Sequence, residues 1–185
     1  MTTIALVRHG ETDWNLERRL QGRTDIPLND TGREQARALA AEFSPEEWSL
    51  VLSSPLSRAV ATAQAISAGS GIPLAPPVEG LIERGFGHAE GATAEDIAAK
   101  WADRIFPDAE PVEDVRRRGA AIVEELVERH GGNLILVSHG AFLRATVFAL
   151  TGEDIGGIAN GTILRLDRTD AAGWELLPDP VAAAR

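Results

Sequence analysis

Two segments of this 185-residue chain share one arrangement, an apolar run that ends in a histidine followed by glycine. Residues 4–7, Ile-Ala-Leu-Val, lead into Arg8-His9-Gly10, and residues 133–137 lead into Ser138-His139-Gly140. A third apolar run, residues 49–52, is followed within a few positions by Arg58. Two histidines and two arginines delivered to strand ends make an anion site, and phosphate is the anion that arginine forks match best. Gly140 opens a helix, whose free amides and positive dipole end would add to such a site. There a neutral imidazole can attack phosphorus in line and form a phosphohistidine, which divides the transfer into two easier steps. The departing alkoxide then needs a proton. Glu83, in the loop 79–91 with its four glycines, can supply it if its surroundings raise its pKa.

These residues converge only if the elements that carry them are arranged suitably. Runs 4–7, 49–52 and 133–137 read as short buried strands, and 73–78 as a further one. Thr31-Gly32-Arg33-Glu34 reads as a capping box ahead of a helix whose apolar face holds Ala36, Leu39, Ala40 and Phe43. Ser54-Pro55 reads as an N-cap with proline in the first turn, which places Arg58 early in the next helix. A short helix is expected over 93–101. A longer one begins at Glu110-Pro111, carries Val115, Ile122 and Leu126, and ends before Gly131. The helix after His139 stops at Gly152, and strands over 162–167 and 174–177 flank a turn at 170–173. Strands alternating with helices predict an α/β/α sandwich around a mostly parallel sheet, with the site beyond the carboxyl ends of the strands. No repeat, low-complexity tract or linker divides the chain, so residues 1–185 read as a single domain with a small cap over about 85–113.

Composition narrows the partners. The 28 acidic and 18 basic residues give a net charge of −10, which disfavours nucleic acid and anionic membranes but leaves room for a local cationic well. Only Lys100 among the cations is not arginine, as a GC-rich genome would produce. With no cysteine, thiolate chemistry and disulfides are excluded. The four histidines lack His-x-x-x-His spacing, so a zinc site is not expected. A basic N-terminal stretch and a membrane span are both missing, which points to the cytoplasm. The sequons at Asn29 and Asn160 follow from composition. A homodimer is only the general expectation for a soluble enzyme.

Leu6-Val7-Arg8-His9-Gly10-Glu11-Thr12-Asp13-Trp14-Asn15 resembles the extended Arg-His-Gly signature of the histidine phosphatase superfamily, whose fold is phosphoglycerate mutase-like. Further blocks follow in that family's order: Leu20-Gln21-Gly22 through Pro27-Leu28-Asn29 and Gly32, then Ser53-Ser54-Pro55-Leu56-Ser57-Arg58-Ala59. After them come Leu81-Ile82-Glu83 with Phe86-Gly87 and Glu90-Gly91, and finally Val137-Ser138-His139-Gly140. Five ordered blocks over residues 3–150 are far more specific than any one of them. The resemblance implies that His9 is the phosphorylated nucleophile. It implies that Arg8, Arg58 and His139 complete the phosphate pocket and that Glu83 is proton donor and acceptor. Asn15 matches a phosphate-binding position, while Gln21 and Gly22 match the pocket mouth. Such members use no metal or other cofactor, because arginines and a second, protonated histidine supply the charge stabilisation.

Plainer readings compete with these. Single arginines are more often surface ion-pair partners, and a lone loop glutamate is usually just solvated. His88 reads as an exposed loop histidine and His130 as a cation at a helix end. Trp14 and Phe86 read first as packing. Arg116, Arg117 and Arg118 diverge by about 100° per residue, so at most one of them approaches a shared ligand. Two departures from relatives bear on function. Ala109-Glu110-Pro111-Val112 replaces a Gly-Glu-Ser segment, and only 55 residues separate Glu83 from His139. A small cap excludes water poorly, which favours hydrolysis of a small phosphomonoester over mutase chemistry. The alternatives are a bisphosphoglycerate-dependent phosphoglycerate mutase and a non-catalytic phospholigand-binding module.

Overall fold

A computed structural model describes residues 2–169 and 173–178. In chain order its elements are β1 (Thr2–Arg8), α1 (Asp13–Leu16), α2 (Asp30–Leu39), β2 (Leu50–Ser53), α3 (Ser57–Ser70), α4 (Ala94–Lys100), α5 (Val112–His130), β3 (Leu134–Ser138), α6 (Gly140–Thr151), β4 (Ile163–Thr169) and β5 (Gly173–Leu176). The sheet order is β2-β3-β1-β4-β5. β1 and β2 both pair in parallel with β3, β4 is antiparallel to β1, and β5 is antiparallel to β4. Four of the five strands therefore point the same way, with β4 reversed. The mostly parallel α/β/α expectation holds.

Alternation along buried strands builds two cores. Ile4, Leu6, Leu134 and Leu136 face α5 and α6 through Val115, Val123, Leu126, Phe142 and Leu143. Ala5, Val7, Ile135 and Val137 face the opposite layer, which includes Leu39, Phe43, Trp48, Ala59, Ala63 and Ile66. Both faces of β1 and β3 are thus dry, and both strands read as continuous apolar runs for that reason. A third, smaller cluster of Phe86, Ala89, Ile97 and Phe106 packs with Leu20, Trp101 and Ala141. Phe86 is accordingly a packing residue of the 85–113 segment.

Several local expectations are corrected. α2 starts earlier than the Thr31 box, because Asn29 caps it by accepting from Gly32 N at 2.8 Å. α3 starts at Ser57 behind an extended Leu56, and Ser54 is not its cap. Segment 73–78 forms a single parallel bridge, Leu74 to Val51, in place of a strand. Pro73, Pro76 and Pro77 lack the N–H groups that a ladder needs. Residues 170–172 of the expected turn lie outside the described residues.

Candidate active site

The register of the sheet sets the site. Arg8 pairs with Ser138 at the last rung of β1 and β3, so the residues that follow, His9 and His139, leave the sheet side by side. Their ring centroids are 5.1 Å apart with the planes tilted by 59°. His9 is 2% exposed, and His139 is fully buried. His9 Nδ1 faces the Gly10 carbonyl at 2.6 Å. A carbonyl can only accept, so Nδ1 carries the proton and Nε2 keeps its lone pair. Burial, then the neighbouring Arg58 and Arg8 charges, hold the His9 pKa well below 6.5. The ring is therefore neutral in ordinary buffer.

His139 is bonded differently. Its Nδ1 accepts from Arg58 Nε at 3.2 Å, and its Nε2 lies 2.7 Å from Ser54 Oγ. An accepting Nδ1 is bare, so Nε2 is the nitrogen that donates, and the ring is neutral. Burial and the charges of Arg58, His9, Arg8 and Arg118 push it the same way. The protonated second histidine that the resemblance implies is not found here, because two buried arginines oppose a third cation. Ser54 is missing from the helix cap because its hydroxyl orients this ring; the Ser53-Ser54-Pro55 block carried that signal.

Arg58, 1% exposed, extends from the first turn of α3. Its Nη1 and Nη2 donate to Thr24 O at 2.9 Å and Gly22 O at 2.8 Å. With Nε on His139, three of the five guanidinium N–H groups are hydrogen-bonded; two have no hydrogen-bond partner, although Asp25 Oδ1 stands 4.0 Å from Nη1. Arg8 donates through Nη1 to Ile158 O, while its Nε is buried with no partner. Such an orphan costs about 1–3 kcal/mol unless a ligand oxygen meets it. Burial lowers the pKa of both arginines, opposed by the Glu83 charge. Gly140 lies against Arg8, where a Cβ would come to 3.4 Å from Nε and 3.5 Å from Cζ.

Glu83 is buried where the loop meets the start of α6. Its Oε1 accepts from Arg84 N and Phe142 N, each at 2.8 Å, and its Oε2 from Ala141 N at 3.2 Å. The first amides of α6 therefore hold this carboxyl and do not form the anion site expected of them. Burial raises the Glu83 pKa, and these bonds together with Arg58 offset the rise only in part. Arg118, alone of the arginine triplet, reaches this loop, donating to Gly80 O, Ile82 O and Glu83 O and pairing with Glu110 at 2.7 Å. Arg117 pairs with Asp114 at the surface, and Arg116 lies 3.9 Å from the Phe148 ring.

A second carboxylate, Glu90, braces the loops beside the site. Glu90 accepts from Phe86 N, Arg23 N, Thr24 N and Thr24 Oγ1 at 2.6–3.0 Å, tying the 21–24 turn to the 86–90 segment. Burial pushes Glu90 up, but the Thr24 hydroxyl and three amides outweigh it and leave it below the usual range. Gly22 has φ +56°, and Glu90 packs against it where a side chain would clash. Gln21 is 8% exposed with its Oε1 unpartnered. Asn15 closes a capping box with Thr12 on α1, and its Oδ1 accepts from Thr12 N, Thr12 Oγ1 and Asn160 Nδ2 at 3.1–3.2 Å. His88 is an exposed partner of Asp108 at 3.0 Å, and His130 lies at the exposed end of α5. Among the described residues no three His, Asp or Glu side chains gather closely enough to hold a metal ion, and no helix is long and apolar enough to cross a membrane.

A doubly packed sheet with two histidines, two buried arginines and a buried carboxyl of raised pKa gathered at its strand ends has the make-up of a phosphoryl-transfer enzyme of the α/β class. Residues 4–176 match the Histidine phosphatase superfamily (branch 1), and the chain belongs to that family. It is 38% identical over 157 residues to the uncharacterized phosphatase PhoE of Bacillus subtilis, covering 83% of this chain and 80% of that protein. It is 32% identical over 178 residues to the metal-independent phosphoserine phosphatase of Arabidopsis thaliana, covering 88% and 75%. Among solved structures, mycobacterial glucosyl-3-phosphoglycerate phosphatase Rv2419c in complex with VO3 superposes with a TM-score of 0.85 at 29% identity, over 94% of this chain and 96% of that one. The chain is an enzyme of this family.

Proposed function

We propose that the protein hydrolyses small organic phosphomonoesters through a phosphohistidine on His9, without a metal. The observation that carries this reading is the fixed tautomer of His9. Its Nδ1–H is committed to the Gly10 carbonyl, and a bare Nε2 is left beside Arg8, Arg58 and His139. Attack of Nε2 on phosphorus forms the N–P bond as the ester P–O bond breaks. The Glu83 proton goes to the leaving oxygen, which its raised pKa permits. Glu83, now a carboxylate, takes a proton from water as that water attacks phosphorus. The N–P bond then breaks and inorganic phosphate leaves.

Arg8, with its orphan Nε, and Arg58, with two free N–H groups, bind the non-bridging oxygens alongside Asn15. His139 stays neutral in this arrangement and acts through Arg58, whose Nε it holds with Nδ1. Gln21 and Gly22 border the entrance, and Gly140 leaves room for Arg8. Among the relatives, one is named for phosphoserine and one for a glucosylated phosphoglycerate, which supports a small phosphorylated metabolite as the substrate class. The small cluster over residues 86–106 supports hydrolysis over transfer, since little of the chain is available to keep water from a phosphohistidine.

Purified protein tested with p-nitrophenyl phosphate and a panel of serine, sugar and glycerate phosphates should release phosphate, and a His9→Ala control should not. Equal release by the two would refute the reading. Bisphosphate-dependent interconversion of phosphoglycerates that outpaces phosphate release would replace it with a mutase.

A further inference from the structure

Asn160 belongs to none of the blocks that suggested the site, and in the sequence it shows only as a chance sequon. In the fold it occupies the corner just before β4. Antiparallel pairing carries β4 back along β1, with Val7 opposite Ile163, so the residues preceding Ile163 are laid over the end of β1. Gly161 N donates to Arg8 O at 3.1 Å and to His9 O at 3.3 Å, and Arg8 N donates to Thr162 O at 3.0 Å. Gly161 takes φ +73° to make this corner. Docked in this way, the Asn160 side chain donates through one nitrogen, Nδ2, to His9 O at 3.1 Å, Gly10 O at 3.2 Å and Asn15 Oδ1 at 3.1 Å.

Two of those acceptors matter for the chemistry. The Gly10 carbonyl is the group that holds the His9 Nδ1 proton, and so decides which ring nitrogen is free. Asn15 Oδ1 already accepts from Thr12 N and Thr12 Oγ1. With Asn160 beside the Thr12 amide, turning the Asn15 amide over would set its NH2 against two groups that can only donate. The Asn15 amide is therefore locked with its Nδ2 directed away from this cluster, and among the described residues nothing accepts from it. Resting on the phosphohistidine reading, we infer that Asn160 is a positioning residue of phosphoryl transfer: its one amide nitrogen holds in place both the Gly10 carbonyl that sets the tautomer of His9 and the Asn15 amide in the orientation that offers a donor to phosphate.

Neither effect needs Asn160 to touch substrate, and a purely structural asparagine would produce neither. The test combines kinetics with side-chain 15N NMR of histidine-labelled protein. In wild type, His9 should show the Nδ1–H tautomer; an Nε2–H signal there would overturn the inference without any variant. Asn160→Ala should lower kcat by about 10–100-fold, the usual effect of losing a partner that orients a catalytic ligand, and His9 should show a mixture of tautomers. Asn160→Asp preserves size but turns a carboxylate toward three acceptors. Its loss should be at least as large and should ease as pH falls and a donor is restored. In an Asn15→Ala background, Asn160→Ala should cost less than it does in wild type.

A lowered thermal midpoint with wild-type kcat and an unchanged His9 signal would mark a structural role and overturn the inference. Fully multiplicative losses would overturn the part concerning Asn15. The His9→Ala control separates the two levels. If it still turns over, the phosphohistidine reading fails. If it is inactive while both Asn160 variants match wild type, only the inference about Asn160 fails.

Discussion

The ends of β1 and β3 present the same local sequence, an apolar strand followed by histidine and glycine, and their histidines are neighbours at 5.1 Å. Their bonding is nevertheless opposite. His9 spends one nitrogen on a carbonyl one residue away and keeps the other bare, whereas His139 has both nitrogens engaged, by Arg58 and Ser54. The difference arises from what each strand end meets. Beyond β1 lies the chain's own next carbonyl. Beyond β3 lie the turn after β2, which brings the Ser54 hydroxyl, and the first turn of α3, which brings the Arg58 guanidinium. A histidine at a strand end thus keeps one nitrogen free or has both engaged according to its second partner.

Replacing each histidine tests that contrast most severely. His9→Ala should abolish the acid-labile, base-stable phosphoenzyme and cut turnover by about 10⁶-fold, as removing a covalent nucleophile does. His139→Ala should cost about 100-fold, as for misplacing a group that binds the reacting phosphate, and should still form phosphoenzyme slowly. Equal losses, with no phosphoenzyme in either, would erase the distinction. Rapid-quench labelling with a radioactive ester measures both.

Glu83 should divide by leaving group. With an alkyl phosphate, Glu83→Ala should slow turnover by about 10²–10⁴-fold, because the alkoxide needs a proton. With p-nitrophenyl phosphate, whose leaving group needs none, the first step should be nearly unchanged. A burst of nitrophenolate should then precede slow hydrolysis of phospho-His9. A uniform loss on both esters, without a burst, would remove Glu83 from proton transfer.

The depressed pKa of both histidines also makes a stability prediction. Unfolded histidine titrates near 6.5, and the two buried rings titrate well below it, so the unfolded chain binds more protons as pH falls. Their contribution to stability is therefore complete above 6.5 and is lost on acidification through the lower folded values. Glu83, raised in the fold, works in the opposite sense and favours the native state at low pH. Thermal midpoints should fall between pH 6.5 and 5, by about 2–4 °C for each kcal/mol lost. His139→Gln should flatten that slope; an unchanged slope would mean that the clamp histidine is not held neutral.

Ser54→Ala should have the smallest effect. It removes one hydrogen bond from His139, a net contribution of about 1 kcal/mol, and should lower kcat by about fivefold with no change in the phosphoenzyme. A loss as large as that of His139→Ala would make the hydroxyl part of the chemistry.

Much of this was legible in the chain because strand burial and family blocks are both local in sequence. Runs 4–7 and 133–137 announced β1 and β3, and Arg8, His9, Arg58, Glu83 and His139 were all nominated from their blocks. The misreadings involve polar side chains whose partners lie far away. Ser54 has the composition of a helix cap, yet it turns to His139, 85 residues on. The first amides of α6 invite phosphate, yet they hold Glu83, 58 and 59 residues earlier in the chain. Asn160 gave no signal, because a side chain that bridges backbone carbonyls about 150 residues away leaves no local pattern.

The sequence alone determined which residues stand at the strand ends, since burial on both faces of β1 and β3 permits only apolar runs and forces the polar residues beyond them. It also determined that a chain of net charge −10 must gather its cations locally to bind phosphate. Only the tertiary structure decided their states: which nitrogen of His9 is bare, that His139 is neutral, and that Glu83 holds its proton more tightly than usual. Tautomer and pKa depend on the few ångströms around a buried group, and those surroundings come from the whole chain.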